Sequence, residues 1–90
     1  MEERFDLSKD TKNQAKHGLP LAFGDRIFDD PAHVVVETIR PQDGERRFKV
    51  VGLVGSKLFT CVFVWRGGRP RFISVRRSNA AEERPYRDPR

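Results

Sequence analysis

The sequence predicts an α+β fold: a helical hairpin, then a four-stranded antiparallel sheet, then a short C-terminal helix. Three observations carry that prediction. Apolar residues recur at helical spacing up to Phe28, and after Pro31 the pattern changes to β-branched runs. The turn signals Gly55-Ser56 and Gly67-Gly68 leave too few residues for a crossover, so the strands they join run antiparallel. Asn79 with Glu82 three residues on forms a capping signature, which opens a helix after the last strand.

The elements follow in order. Residues 8–17 form a polar helix that Ser8 can cap at its start. Lys16 and His17 suit the negative end of its dipole, and Gly18 suits the left-handed position just beyond. Residues 20–29 form a second helix, begun by Pro20, with Leu19, Ala22, Phe23 and Ile27 at helical spacing and Asp29-Asp30-Pro31 ending it. His33–Arg40 reads as a first strand, residues 41–44 as a turn, and Arg47–Val54 as a second strand. Lys57–Arg66 is apolar on both faces, which predicts a central strand covered on both sides with the two helices against one of them. Arg71–Arg77 is the fourth strand. Strict alternation puts Ile73 and Val75 on the helix side, and Phe72, Ser74 and Arg76 opposite. Pro85 should cut the last helix short, and residues 87–90 should fray.

Composition narrows the function classes. The chain has 90 residues, enough for one domain around one core. Charged residues make up 34%, above the roughly 25% usual for globular domains, while seven Phe and one Trp argue against disorder. A single cysteine excludes an intrachain disulfide, and His17, His33 and Cys61 make no familiar metal spacing. No apolar run is long enough for a membrane span and the N-terminus is charged, which together predict a cytoplasmic protein. Phosphate-binding loops, dinucleotide fingerprints and nucleophile elbows are absent. Charge is divided unevenly. Residues 1–45 hold 6 Lys/Arg and 10 Asp/Glu (6 − 10 = −4), residues 46–90 hold 12 and 3 (12 − 3 = +9), and the halves sum to +5. Ten of those twelve cations are arginine, the side chain suited to bidentate phosphate contacts and base stacking. The partner is then a polyanion, unless the basic half is simply a solvated surface.

Three constellations can carry chemistry, and each has a plainer role. Arg76 on a strand is held more rigidly than on a loop and can meet charge developing on a phosphate; it can equally guard a sheet edge. His17, beside Lys16, can move protons near neutral pH; it can also simply close a helix. Glu82 and Tyr86 lie four apart, so that a carboxylate could accept a proton and a ring could stack on a base; or they are a cap and a packing residue.

In order and spacing, these residues resemble the BrnT family of bacterial type II toxins. The resemblance runs from Phe5-Asp6 through Lys9, Asn13, Lys16-His17-Gly18, Phe23, Phe28-Asp29-Asp30-Pro31, Glu45-Arg46-Arg47-Phe48 and Gly52 to Ile73-Ser74-Val75-Arg76-Arg77, Glu82 and Tyr86. It implies a RelE-like ribonuclease without a cofactor. It also implies neutralisation by a BrnA-type antitoxin whose ribbon-helix-helix part binds operator DNA, the toxin reaching DNA only through it. In that reading RNA is cut by its own 2′-hydroxyl. Arg76, Arg77 and Arg47 hold the scissile phosphate, His17 or Glu82 takes the proton, and Tyr86 orients a base. Lys9, Lys16 and Arg46 grip the RNA. The alternatives are a non-catalytic nucleic-acid or protein binding module, and an inactive toxin relative acting in promoter autoregulation.

Overall fold

The computed structural model describes residues 5–38 and 44–88. Helix α1 spans Leu7–His17, a 3-10 turn Leu21–Phe23 leads into α2 (Gly24–Phe28), and strands β1 (Val34–Thr38), β2 (Arg47–Val54), β3 (Lys57–Arg66) and β4 (Arg69–Arg77) precede helix α3 (Ala80–Arg87). The strands form one antiparallel sheet in the order β1-β2-β3-β4. The α+β class and the four-stranded antiparallel sheet are as the sequence predicts, with β3 inside the sheet.

Several boundaries differ. The cap of α1 is Asp6, whose carboxylate accepts the Ser8 N–H at 2.7 Å; Ser8 is already helical. The second helix is broken into a 3-10 turn and a five-residue α-helix. The first strand is described over Val34–Thr38, and residues 39–43, including most of the expected turn, lie outside the described residues. β4 starts two residues early, at Arg69. Gly67 and Gly68 have φ of 58° and 80°, the paired positive values a two-residue hairpin needs, so pairing resumes at once. Pro85 does not end α3, which runs through it to Arg87. In so short a helix proline removes a single backbone bond, and the Tyr86 hydroxyl anchors the far end by donating to Asp30 at 2.6 Å. Residues 89 and 90 lie outside the described residues.

The largest departure lies in β4. Phe63 pairs with Phe72 but Val62 pairs with Ser74, so Ile73 is an extra residue, a β-bulge. Alternation therefore resets. Phe72 and Val75, three apart, both enter the helix-side core, while Ser74 and Arg76 keep the opposite face as expected. Arg71, opposite Val64, also falls on that opposite face.

The core on the helix side joins Leu21, Ile27, Val50, Cys61, Phe63, Phe72 and Val75, with α2 against β2 and β3. Burial of this apolar area supplies most of the driving force for folding. The approach is close. A Cβ at Gly52 would lie 2.5 Å from the Ile27 carbonyl oxygen, so only glycine lets α2 settle there. Helix α1 is tied to the outer edge of β4 by one side chain. Asn13, buried, donates to the Val75 carbonyl (2.8 Å) and accepts the Val75 N–H (3.0 Å), as a neighbouring strand would, and donates also to the Leu19 carbonyl (2.8 Å). Of the β3 aromatics, Phe63 is buried and Phe59 packs edge-on against Phe23, but Trp65 remains 48% exposed.

Candidate nucleic-acid interface

The other face of the sheet carries the charge. The side chains of Arg47 and Lys49 point there from β2, Thr60 from β3, Ser74 and Arg76 from β4, because residues two apart on a strand share a face and paired residues point the same way. Helix α3 lies against β2 on this face and brings Glu82 down onto it.

Glu82 organises the cluster. Its Oε1 accepts from Arg76 Nη1 at 2.7 Å, from the Asn79 N–H at 3.0 Å and from Thr60 Oγ1 at 3.1 Å; its Oε2 accepts from Arg76 Nη2 at 2.5 Å and from Lys49 Nζ at 2.8 Å. The Asn79 bond is half of the capping box expected from the sequence, and the other half is the Glu82 N–H donated to Asn79 Oδ1 at 2.9 Å. Burial alone would raise this carboxyl's pKa, but the hydrogen bonds from Arg76, Lys49 and the Asn79 N–H outweigh it and hold it at about 2. The same pair raises the pKa of Arg76, against the effect of burial. Glu82 is therefore a fixed anion with both oxygens occupied, a poor acceptor for a substrate proton. Arg76 and Lys49 are fixed cations, with side chains 26% and 28% exposed.

The cations line a groove made of two adjoining hollows. A hollow of about 420 Å³ is lined by Arg47, Lys49, Arg76, Thr38, Ser74 and Ile73. Across Ile73 and Ser74 it continues into a hollow of about 270 Å³ under α1, where Lys9, Lys12, Lys16 and His17 stand. Helical spacing explains the second wall, since positions 9, 12, 13 and 16 share one face of α1. Burial, then the charges of Lys16 and Arg76, lower the pKa of His17, so its imidazole is neutral at neutral pH and able to take a proton.

Of the residues singled out in the sequence, the groove brings together Lys9, Lys16, His17, Arg47, Arg76 and, beneath them, Glu82. Three stand apart. Arg77 follows Arg76 on the strand and so faces the helix side, its guanidinium 5.6 Å from the centre of the Phe59 ring. Arg46 makes a two-pronged pair with Glu37 (2.6 and 2.8 Å) and lies over Phe48 on that same side. Tyr86 spends its hydroxyl on Asp30, which raises the tyrosine's pKa. Lys49, Lys12 and Thr60 were missed. For Lys49 the signal was there, two residues from Arg47 on the same strand face. Among the described residues, no three His, Cys, Asp or Glu side chains gather where they could hold a metal ion, and no helix is long and apolar enough to cross a membrane.

A basic groove over an antiparallel sheet, with a neutral histidine on one wall, suits a polyanion, and comparison with known families gives its class: a ribonuclease toxin of a type II toxin–antitoxin system. The matching model is BrnT, it spans residues 5–82, and the chain belongs to this family. The match ends at Glu82 and so leaves Tyr86 outside it. No curated protein matches significantly. As a type II toxin the protein acts on RNA and has an antitoxin partner.

Proposed function

We propose that the groove cuts RNA without a metal ion, using the 2′-hydroxyl of the RNA as nucleophile, in the cytoplasm. The observation that carries this reading is the Glu82-anchored pair of cations, Arg76 and Lys49, beside Arg47 in a groove that runs on to His17. Arg76, Lys49 and Arg47 surround the scissile phosphate, and their charge offsets the negative charge that grows on its oxygens. His17 takes the 2′-hydroxyl proton; the 2′-oxygen bonds to phosphorus; the 5′-oxygen leaves and is protonated by water. The products are a 2′,3′-cyclic phosphate and a 5′-hydroxyl. Lys9, Lys12 and Lys16 hold neighbouring phosphates. The antitoxin is of the BrnA type, its ribbon-helix-helix part binds operator DNA, and an acidic segment of it covers the groove. That docking weakens as salt rises.

One feature favours a second reading, binding without chemistry: both terminal nitrogens of Arg76 already meet Glu82. The same assay decides between them. With EDTA present, the protein should still cut single-stranded RNA and leave 2′,3′-cyclic ends. Arg76→Ala should lower the rate about a hundredfold or more, whereas Arg69→Ala at the exposed hairpin should change it only a fewfold, through long-range attraction. Loss of cutting in EDTA overturns the metal-free mechanism. Equal effects of the two variants, with folding intact, leave the binding reading.

A further inference from the structure

We propose that the hollow between β1 and α3 is a nucleobase subsite, taking the base of a nucleotide next to the scissile phosphate; this rests on the ribonuclease reading of the groove. The hollow measures about 270 Å³ and shares Thr38 and Lys49 with the larger, cation-lined hollow of about 420 Å³ around Arg76. Its apolar lining is Val36 and Val51 from the sheet and Ala81 and Pro85 from the helix. The paired Lys49 and Glu82 also line it, and Glu37, Thr38 and Asn79 complete the polar part of the lining. An aromatic ring can slide between the strand and the helix there while its own phosphate stays on the cations. A charged track for the backbone is the common way to hold a single strand, and a base taken out of its stack can be held between apolar side chains as well as aromatic ones. The assignment also gives two otherwise idle features a use. Val36 is a large apolar side chain left 37% exposed, and Pro85 stands inside a helix. Both line this hollow and neither belongs to the core.

The test uses RNA hexamers 2′-O-methylated at every nucleotide but one, which fixes the cut, with an abasic residue placed at each position in turn. Cleavage rate and equilibrium binding are both measured. For the unaltered protein, one abasic position adjoining the cut should lower kcat/KM and affinity by about tenfold. Ala81→Leu, which fills the hollow, should reduce that loss to less than about twofold by the same reasoning. The subsite is overturned if no abasic position matters, or if Ala81→Leu leaves the position dependence unchanged, as it would were the hollow reserved for an antitoxin side chain. The two readings fail separately. Cleavage that needs Arg76 but ignores abasic positions leaves a ribonuclease without this subsite. Abasic-sensitive binding without any cleavage leaves the subsite and removes the enzyme.

Discussion

Replacing Glu82 by glutamine isolates the charge at the centre of the groove. Glutamine keeps the shape and can still complete the capping box with Asn79, so α3 should form as before. What is lost is the anion between Arg76 and Lys49. Removing one partner of a buried ion pair costs about 3–5 kcal/mol. Here the two cations keep about a quarter of their side-chain surface in water, which solvates part of the orphaned charge and brings the expected loss to about 2–4 kcal/mol. The depressed pKa gives a second route to the number. A fall from the ordinary 4.5 to about 2 corresponds to about 3 kcal/mol at neutral pH. The sign follows from the depression. The folded carboxyl is the stronger acid, so its contribution is complete above pH 4.5 and is lost as pH falls toward 2. Urea unfolding of both proteins should therefore give a gap of about 3 kcal/mol at pH 7 that shrinks steadily below pH 4.5. A gap under about 1 kcal/mol at pH 7, or one that persists undiminished at pH 2.5, would refute the account.

Two further outcomes are expected. The RNA cleavage rate should rise with pH through a value below the ordinary histidine pKa of 6.5 and then level off, because His17 must be neutral to take the proton; His17→Gln should remove that step and lower the plateau by about a hundredfold or more, and an unchanged pH profile would exclude His17 as the base. Asn13→Ala leaves the Val75 N–H and carbonyl without their partner at the edge of β4, so a loss of roughly 2–3 kcal/mol is expected by chemical denaturation, and a loss below about 1 kcal/mol would show that water replaces the amide.

Local signals in the sequence were enough for the elements, because caps, turns and periodicity act within a few residues. Gly67-Gly68 and the Asn79–Glu82 box did in the structure what their residue types dictate. The bulge at Ile73 was not legible. It depends on how Phe63 and Phe72 meet across two strands, and alternation alone placed Ile73 with Val75. Pro85 was misread for a related reason. Proline weakens a helix locally, but the bond from Tyr86 to Asp30, 56 residues away in sequence, holds the turn in place.

The site divides along the same line. That Arg76 and Arg77 face opposite sides was already fixed by their adjacency on a strand, and grouping them at one phosphate set that rule aside. Lys49 was available from Arg47 by the same rule. Glu82 is the instructive case. Its position was legible from the capping box, yet a carboxylate near cations can be a base or a counter-ion, and residue type does not separate the two. The donors around it do. A base needs a free oxygen and a pKa near the working pH, whereas Glu82 meets Arg76 twice, Lys49, Thr60 and the Asn79 N–H, and its pKa sits at about 2. Those donors come from β2, β3, β4 and the helix cap, elements up to 33 residues distant in sequence, so only the folded chain shows that Glu82 is a counter-ion to Arg76 and Lys49, which is why the proposed mechanism gives the proton to His17 instead.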